Sequence, residues 1–591
     1  MGKSSFSRWH EFAMVGLSVL NLLFMHNYFR FSGYFETWPY AYSSIVNLCG
    51  VCFDILILLL FFSVLVNRNL KYSLFLCFVV TWLWALSNVI YGRFFMQYLT
   101  LSAIQQAGSL SDGLVVRSVL SNIKWFDVYF VLSMLLFIIL YVKMPIVKLS
   151  GKCLLRLFLM SLFPLLMMFF IYTAYHFSHS TMRNNIELYK QLLKNSFLEP
   201  QKTMSSFPNE IRYHNGSLRI LYYEVCDIIN GLELTKEDVA FIENELKLMK
   251  QRVSTEHCQP EVNNVVFILL ESFMSFVTEM KIDGKVITPF LDSLKHDASV
   301  YYNGHVKTNV TIGESGDGQF IYMTGILPLR SKQTVGIAKS NLLPSLPRIL
   351  KKYSVVKKSE IILPTSTQMW QQEAMNRVYG IDRAYQNIDI VNDKNQPLTD
   401  VQVFEIAKKT ILTDRQHLFS IILNVDTHQP YRKPVENSFV LHDESLPVSF
   451  RNYLIACHQV DCLIQDYFSH LKKYGMYDKS LIVIVSDHHA HLDAMGMSGK
   501  LPDDIPLYII NGNVDNRKAW HGSCNQLDVF TTILDVLNVD CEWKGLGHTL
   551  LLPNYVNSVT PKIWDVSELI IEGDYFRFSS QEELDNVLGL Q

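Results

Sequence analysis

One stretch of the sequence decides the fold: LIVIVSDHH, residues 481–489, in which five apolar residues run directly into an acid and two imidazoles. A continuous apolar run of this length, bounded by polar residues, is typical of a central strand in a parallel sheet. In open α/β sheets, ligands collect just beyond the carboxyl ends of such strands. Taken alone, the stretch is explained equally well as a strand followed by an ordinary polar turn that binds no ligand.

The same pattern occurs twice more in the chain. The run NVVFILL (264–270) ends in a glutamate, and LFSIILNV (418–425) is followed by DTH (426–428). If the three strands are parallel neighbours, their polar residues meet at one edge of the sheet. Carboxylates with imidazole predict a site for one divalent metal, with Mn or Zn favoured over Mg once nitrogen joins the oxygen ligands. The residues expected at that edge are Glu271, His428, Asp487 and His488.

The first third of the chain predicts a membrane sector, residues 1–175. Five apolar runs each approach the roughly 20 residues that a bilayer-spanning helix needs. Several carry Trp or Tyr near an end, as interfacial anchors do. A cleavable signal peptide is the alternative for the first run, but further spans follow it and no small-residue cleavage site stands out. The predicted spans are Phe12–Phe29, Ser44–Val66, Tyr72–Tyr91, Trp125–Val142 and Leu157–Tyr175.

The charged loops between these runs predict their orientation. Lysine and arginine residues near the N-terminus, in the second loop and in the fourth loop fall on one side of a five-span arrangement. By the positive-inside rule, that side is the cytoplasm. An odd number of spans then leaves everything after Tyr175 outside the cytoplasm.

Composition excludes two classes of protein. The net charge is −3 and no dense Lys/Arg block occurs, so nucleic acid is not an expected partner. The ten cysteines are scattered or lie in apolar runs, which fits neither a disulfide framework nor a zinc site.

The remaining chain predicts three segments. Residues 176–261 are polar with helical periodicity and are interpreted as a helical linker between the membrane and an outer domain. Residues 262–553 alternate apolar strands with amphipathic helices, which predicts βαβ units and a mostly parallel sheet sandwiched by helices. Residues 554–591 are interpreted as a C-terminal appendage. The fold class is thus an α-helical membrane sector followed by an α/β domain.

A glycine-rich stretch, GESGDGQF (313–320), lies between the first and second of the strand-end motifs. Its three glycines let the backbone turn tightly and approach a ligand closely. Ser315 lies inside this stretch, where a metal could lower the pKa of its hydroxyl and make it a nucleophile. A serine in such a loop is otherwise an ordinary turn residue.

The arrangement of Glu271, Ser315, Asp487 and His488 resembles the lipoteichoic-acid synthase and phosphoglycerol transferase branch of the alkaline phosphatase/sulfatase superfamily. That family has five membrane helices, a helical linker and an extracellular α/β domain in this order. The resemblance covers nearly the whole chain. Its motifs here are LLESF (269–273), TPFL (288–291), GESGDGQF (313–320), THQPY (427–431), SDH (486–488) and QLDV (526–529).

The resemblance implies an enzyme with a covalent mechanism. Glu271, Asp487, His488 and the Ser315 oxygen would bind one divalent metal, typically Mn. Ser315 would attack the phosphorus of a phospholipid head group and release diacylglycerol. His428 would contact the phosphoryl group or assist proton transfer. The phosphorylated head group, with phosphoglycerol from phosphatidylglycerol favoured, would then pass to an acceptor outside the cytoplasm.

The resemblance also implies a setting and leaves alternatives open. The protein would be integral to a bacterial plasma membrane, with a phospholipid donor and a glycolipid, glycan or polymer acceptor. Ser315 replaces the family's usual threonine, and Gln372 stands where the family tends to place an arginine that holds phosphoglycerol. Phosphoethanolamine transfer to a surface glycan or glycolipid is therefore an alternative. A catalytically inactive membrane scaffold or receptor is the alternative of another class, and arylsulfatase activity is discounted because no Pro or Arg follows Ser315 at the required spacing.

Three further side chains are candidates for binding substrate. Trp370 could stack on a ligand, with an interior aromatic as the alternative. His489, next to a predicted metal ligand, could face the acceptor or be polar surface. His521 lies in the loop before a predicted helix at 527–537 and could approach the site.

Overall fold

A computed structural model gives the structure of the chain. It describes residues 2–32, 40–95, 97–104, 122–178, 208–249, 260–391, 396–413, 417–434 and 438–577, with a few isolated positions between them. The described residues form two compact units, here called the membrane unit (within 1–104 and 122–231) and the α/β unit (within 232–577).

The membrane unit contains the predicted spans. Five helices are long and apolar enough to cross a bilayer, and they cover Trp9–Phe31, Tyr42–Leu65, Leu70–Arg93, Trp125–Lys143 and Gly151–Ala174. Each overlaps one of the predicted runs, so the prediction of five spans is confirmed. The helices of this unit up to the fifth span are α1 (Gly2–Phe31), α2 (Tyr40–Leu65), α3 (Leu70–Phe95), α4 (Leu101–Ile104), α5 (Val128–Lys143) and α6 (Gly151–Ser178).

The segment predicted as a linker contributes to both units. Helices α7 (Pro208–Asn215) and α8 (Ser217–Asn230) pack in the membrane unit, whereas α9 (Lys236–Met249) belongs to the α/β unit. A capping arrangement fixes the start of α9, because the Asp238 amide donates to Thr235 Oγ1 at 3.2 Å and the Thr235 amide donates back to Asp238 Oδ2 at 2.9 Å.

The α/β unit is built on ten strands. They are β1 (Asn264–Leu270), β2 (Lys281–Ile282), β3 (Lys285–Val286), β4 (Tyr301–Lys307), β5 (Lys358–Ile362), β6 (Arg383–Tyr385), β7 (Leu418–Leu423), β8 (Ser480–Ser486), β9 (Ile505–Ile510) and β10 (Cys524–Asn525). The described helices between and after them are α10 (Pro289–Lys295), α11 (Ser315–Thr324), α12 (Thr334–Ala338), α13 (Leu346–Lys352), α14 (Gln372–Tyr379), α15 (Asn387–Val391), α16 (Asp400–Thr413), α17 (Val448–Lys473), α18 (Leu527–Val536) and α19 (Pro561–Glu572).

Eight of these strands form one mostly parallel sheet in the order β10-β4-β9-β8-β1-β7-β5-β6. Strand β1 lies at its centre, parallel to β7 on one side and β8 on the other. Within this sheet, β9 is the only described strand that runs antiparallel to its neighbours, β8 and β4. The predicted fold class is confirmed.

The central strands form because their side chains can be buried on both faces. Every residue of β1 and β8 is buried, as a parallel sheet covered by helices on both sides requires. The strand ends are set by the first polar residue that reaches the sheet edge. This is why β1 stops at Leu270, one residue before Glu271, and β8 stops at Ser486, one residue before Asp487.

The region predicted as a C-terminal appendage contains a helix that is integral to the α/β unit. Helix α19 starts at Pro561, and the hydroxyl of Thr560 accepts a hydrogen bond from the Ile563 amide at its N-terminus. Its inner face, which includes Val566 and Ile570, is fully buried in the core of the unit. The apolar periodicity of this helix therefore serves the core and not a separate surface element.

Candidate active site

Two neighbouring strands deliver the acidic residues of the site. In the register of β1 and β8, Leu270 pairs with Ser486, so the next residues, Glu271 and Asp487, leave the sheet side by side. The backbone locks them together, because the Ser272 amide donates to Asp487 Oδ1 at 2.8 Å and the Asp487 amide donates to the Leu270 carbonyl at 2.9 Å. Parallel pairing thus makes the predicted juxtaposition of the two carboxylates.

Helix α11 brings Ser315 to the same edge as its first residue. A Cβ on Gly318 would lie 2.2 Å from the carbonyl oxygen of Asp487, so only glycine lets the helix approach the end of β8 this closely. Ser315 Oγ then donates to Glu271 Oε2 at 3.1 Å and lies 3.1 Å from His488 Nε2. The serine hydroxyl faces the cluster directly.

Glu271, Asp487 and His488 form a buried group that can hold a divalent cation. One ligand atom from each lies within 4.8 Å of the others. His488 Nδ1 lies 2.8 Å from the His489 carbonyl, which only accepts, so Nδ1 carries a proton and Nε2 faces the carboxylates. His488 Nε2 is 3.4 Å from Glu271 Oε1 and 3.6 Å from Asp487 Oδ2.

The electrostatics of the group favour a bound cation. Burial and the neighbouring Glu271 carboxylate raise the pKa of Asp487 well above its usual range. Burial acts against ionisation of Glu271 as well, but the imidazoles of His428 and His488 outweigh it and lower the pKa of that carboxyl. Two crowded buried carboxylates are costly without a compensating positive charge, so the residues present fit a divalent metal.

His428 and Trp370 are also brought to this region. His428 follows β7, and its Nδ1 donates to the carbonyl of Gln429, which leaves Nε2 available to a ligand. Its imidazole is close enough to Glu271 to lower the pKa of that carboxyl. Trp370 lies against the glycine-rich stretch around Ser315, because a Cβ on Gly316 would be 3.6 Å from its indole ring.

The other predicted residues have different surroundings. His489 Nδ1 is 3.0 Å from Thr308 Oγ1, and the side chain is half-buried next to His488. His521 is not brought to the site. Its two ring nitrogens lie 3.0 Å from the Tyr302 carbonyl and 2.9 Å from the Asn516 carbonyl. Tyr302 is in β4, which β9 separates from β8, and its register through Tyr508 matches Ile484, three residues before Asp487.

Glu314 and Gln372 add two features that bear on specificity. Glu314 precedes Ser315, and its Oε2 lies 3.6 Å from His488 Nδ1. Burial raises the pKa of Glu314 to about 7. Gln372 is buried, and its Nε2 donates to Gln319 Oε1 at 2.9 Å and to Asn376 Oδ1 at 2.8 Å.

Comparison with known proteins finds matches to two protein-family models and to several relatives. A sulfatase family model matches residues 263–539, and a model of the lipoteichoic acid synthase N-terminal domain matches residues 10–201. Lipoteichoic acid synthase 2 of Bacillus subtilis is 26% identical over 531 residues, which is 84% of this chain and 77% of the relative. Lipoteichoic acid synthase of Staphylococcus aureus is 23% identical over 513 residues, covering 80% and 74% of the two chains. The chain is thus similar to lipoteichoic acid synthases, with a membrane domain and a sulfatase-type domain in the same order.

These matches confirm the predicted resemblance and its general consequences. The protein is a phosphotransferase of the sulfatase superfamily. It is a multi-pass plasma-membrane protein whose α/β unit lies outside the cytoplasm. Among solved structures, the lipoteichoic acid synthase LtaP of Listeria monocytogenes is 19% identical and aligns with a TM-score of 0.43 over 55% of this chain and 81% of that one.

Several residues of this lipoteichoic-acid-synthase-like site were missed in the sequence. Asn424 Oδ1 accepts from the Glu271 amide at 2.7 Å, and its Nδ2 donates to Thr427 Oγ1 at 2.9 Å. Thr427 Oγ1 in turn donates to the Glu271 carbonyl at 2.6 Å. Gln526 Nε2 donates to the Asp487 carbonyl at 2.6 Å. For Asn424 a signal existed, since it is the first polar residue after β7, as Glu271 is after β1.

The backbone at the site is strained at three non-glycine residues. The φ angles of Ser272, Glu314 and Trp370 are 52°, 44° and 53°, in the region that favours glycine. Such conformations cost about 1–3 kcal/mol each and persist where the surrounding structure holds a functional geometry. All three lie beside residues of the cluster, which agrees with a preorganised active site.

Proposed function

We propose that the protein transfers a phosphorylated head group, with phosphoglycerol from phosphatidylglycerol as the favoured donor group, to an acceptor outside the cytoplasm through a covalent Ser315 intermediate. The observation that carries this proposal is the position of Ser315 Oγ, 3.1 Å from both Glu271 and His488 at the start of a helix. The lipoteichoic acid synthases among its relatives support the same reaction class.

Glu271, Asp487 and His488 would hold the metal, for which Mn is the favoured ion because it accepts both carboxylate and imidazole ligands. When bound, it would supply positive charge to the non-bridging phosphoryl oxygens and favour ionisation of the serine hydroxyl. The positive end of the α11 dipole acts on the serine oxygen in the same direction. Zn and Mg are the alternative ions.

The remaining steps are assigned to the protein's own residues. Ser315 Oγ releases its proton to solvent and bonds to phosphorus while the bond from phosphorus to the diacylglycerol oxygen breaks, and that oxygen takes a proton as it leaves. His428, with Nδ1 held by the Gln429 carbonyl and a second proton on Nε2, would supply this proton from Nε2 and then remove one from the acceptor hydroxyl. The acceptor oxygen then bonds to phosphorus, and the Ser315 oxygen leaves and regains its proton. Trp370 would pack against the head group beside the glycine-rich stretch around Ser315.

Phosphoethanolamine is the second candidate head group, and one observation favours it. Glu314 places a carboxyl group beside Ser315, 3.6 Å from the His488 ring, where an ammonium group would find a complementary partner. Gln372 adds no positive charge to this region, because it is neutral and its amide is bound to Gln319 and Asn376. Replacement of Glu314 by Gln would lower turnover of an ethanolamine donor more than that of a glycerol donor.

The experiment that tests the proposal measures diacylglycerol release by the purified full-length protein with Mn. Labelled phosphatidylglycerol and phosphatidylethanolamine are supplied separately. Wild type is compared with Ser315→Ala and with Ser293→Ala, a control at an exposed serine of α10. Release from one lipid that is lost only in Ser315→Ala would establish the nucleophile and name the donor. Absence of both release and metal binding in the wild type would instead favour a membrane scaffold.

A further inference from the structure

Helices α7 and α8 form a hairpin that runs along a membrane span. The end of α7 contacts the outer turns of α2: Ser43 Oγ lies 2.8 Å from His214 Nε2, and Asn47 Nδ2 donates to the Tyr213 carbonyl at 2.7 Å. Deeper in α2, Asp54 Oδ2 accepts from the Ser217 amide at 2.7 Å. Helix α7 therefore descends beside α2 and away from the outer end of that span.

Gly216, the turn between the two helices, lies well inside the span. A Cβ on Gly50 would be 3.0 Å from the Gly216 nitrogen, so the two backbones touch. Gly50 is eight positions after Tyr42, the outer end of the span, which corresponds to about 12 Å of helix. Half the apolar core of a bilayer is about 15 Å thick, so the turn reaches most of the way to the bilayer centre.

A second span gives the same depth independently. The indole nitrogen of Trp84 on α3 donates to Ser217 Oγ at 3.0 Å. Trp84 precedes Arg93, the outer end of that span, by nine positions, or about 13 Å of helix. Two different spans thus place the tip of the hairpin at nearly the same level.

From this tip, α8 returns to the outer surface. Glu224 Oε2 accepts from the Leu101 amide at 3.1 Å, and Glu224 also pairs with Arg212. Leu101 lies beyond Phe95, where α3 ends. Over the seven helical steps from Ser217 to Glu224, α8 therefore rises about 10 Å, from the membrane interior to the level of the outer loops.

The tip has the polar pairing that an apolar medium demands. The first backbone N–H groups of a helix have no partner within the helix, and in lipid each must be satisfied by the protein. Asp54, which is buried, accepts both the Ser217 amide at 2.7 Å and the Leu218 amide at 3.1 Å. A carboxylate in the middle of a membrane span is explained if it accepts hydrogen bonds from the N-terminus of a helix at that depth.

The outward face of α8 is apolar. Tyr222, Val225, Ile228 and Ile229 recur at helical spacing and are 63%, 43%, 55% and 75% exposed, while Ile220 and Glu224 on the opposite face are buried. On a surface bathed by water, this stripe would be an unfavourable patch. Tyr222 lies five positions after Ser217 and below the level of Glu224, where acyl chains of the outer leaflet would surround it, whereas Val225, Ile228 and Ile229 follow Glu224 and lie nearer the bilayer surface.

We propose that Pro208–Asn230 is a re-entrant helical hairpin whose tip enters the outer half of the bilayer, and that the exposed stripe of α8 contacts phospholipid, with Tyr222 at the acyl chains and the later stripe residues nearer the glycerol backbone. The sequence had placed this segment in a linker outside the membrane, because neither helix is long enough to span a bilayer. The chain would then leave the membrane at Gly231 from a lipid-embedded element.

Photo-crosslinking of the full-length protein tests this proposal. Benzoyl-phenylalanine replaces Tyr222 or Val225 in protein reconstituted in nanodiscs of dioleoyl phosphatidylglycerol and phosphatidylethanolamine. The positive control is Phe163, a 66% exposed residue of the fifth span, and the negative control is Glu237, an exposed residue of α9. Lipid adducts are counted by mass spectrometry. We expect both test positions to match Phe163 and to exceed Glu237 several-fold.

Two test positions are used in case one variant fails to fold. Adducts are counted only for a variant that is monodisperse and reconstitutes into nanodiscs. Yields at the Glu237 level, or adducts to a second protein chain, would overturn the proposal. Fragmentation of the adducts separates insertion from surface contact: we expect attack on acyl-chain carbons at Tyr222 and nearer the glycerol backbone at Val225. Head-group adducts at both positions would mean a helix lying on the membrane and would also overturn it.

Discussion

Ser315 Oγ lies 3.1 Å from His488 Nε2, although the two residues are 173 positions apart in the chain. The contact joins the first residue of α11 to the residue pair that follows β8. It fixes the serine hydroxyl at the point where the carboxylates converge, and it makes the identity of that side chain decisive for covalent chemistry.

Replacement of Ser315 should separate nucleophilicity from metal binding. We expect Ser315→Ala to lower diacylglycerol release on the order of a thousandfold or more, because it removes the hydroxyl that would form the intermediate. Ser315→Thr should keep most of the activity, since it retains the hydroxyl. Metal content, measured by mass spectrometry, should persist in both, because Glu271, Asp487 and His488 remain. Full activity in Ser315→Ala would rule out the covalent mechanism.

Glu271 should be required for metal retention. Glu271→Gln removes one negative ligand from the group with Asp487 and His488, and we expect metal affinity to fall about a hundredfold or more. Asp461→Asn is the matched control, because Asp461 is also buried but accepts the Phe290 and Leu291 amides at the start of α10. It should keep its metal and lose only about 0.5–2 kcal/mol of stability. Equal metal loss in both variants would contradict the assignment.

Thr427 should act on the metal group through Glu271. Its hydroxyl donates to the Glu271 carbonyl at 2.6 Å and accepts from Asn424, which also holds the Glu271 amide. Loss of such supporting contacts typically costs 10–100-fold in metal affinity or activity. We therefore expect a decrease in this range for Thr427→Val, measured by metal titration, and near-normal affinity for Thr427→Ser. Identical behaviour of the two variants would show that the hydroxyl has no positioning role.

The parts of the structure that were predictable from sequence are those with local signals. The spans and the central strands are continuous apolar runs, and Glu271 and Asp487 follow their strands directly. Parallel pairing of β1 with β8 then follows from the alternation of strands and helices. The metal ligands remain a prediction from residue type and position, which the geometry of the cluster supports.

The parts that were not predictable depend on distant contacts. Asp54 and Ser217 are separated by 163 positions, so a short amphipathic helix gives no local sign that it enters the membrane. His521 was a candidate because it lies in the loop before α18. Its ring nitrogens instead contact the backbone carbonyls of Tyr302 and Asn516. The end of a strand can be predicted from the apolar pattern of the sequence, whereas the residues that a loop side chain contacts depend on the tertiary fold.

The core of the α/β unit should depend on α19. Ile570 is fully buried in this helix, so Ile570→Ala should lose about 2–5 kcal/mol through lost burial and a residual cavity. Val556 lies just before the helix and is 61% exposed, and Val556→Ala should change stability by no more than about 0.5 kcal/mol. Thermal unfolding of the full-length protein in detergent would distinguish the two. Similar melting temperatures would indicate that the segment after Pro553 is dispensable.

Two glycines on one helix should behave differently if the approach of α11 to β8 positions the nucleophile. A Cβ on Gly318 would lie 2.2 Å from the Asp487 carbonyl oxygen, whereas a Cβ on Gly316 would meet only ordinary contacts at 3.6 Å or more. Gly318→Ala must therefore push the helix away from the strand and carry Ser315 with it. A displacement near 1 Å lowers catalysis about a hundredfold, so we expect a loss of that order in diacylglycerol release.

Gly316→Ala is the matched control, because it adds the same methyl group two positions earlier and leaves the spacing between helix and strand unchanged. It should fold, bind metal and retain activity within about tenfold, since the added carbon makes only van der Waals contact with Trp370 and Val335. Metal content and melting temperature, measured alongside activity, separate a displaced nucleophile from an unfolded domain. If Gly318→Ala kept normal activity, the close packing of α11 on the end of β8 would not be what positions Ser315.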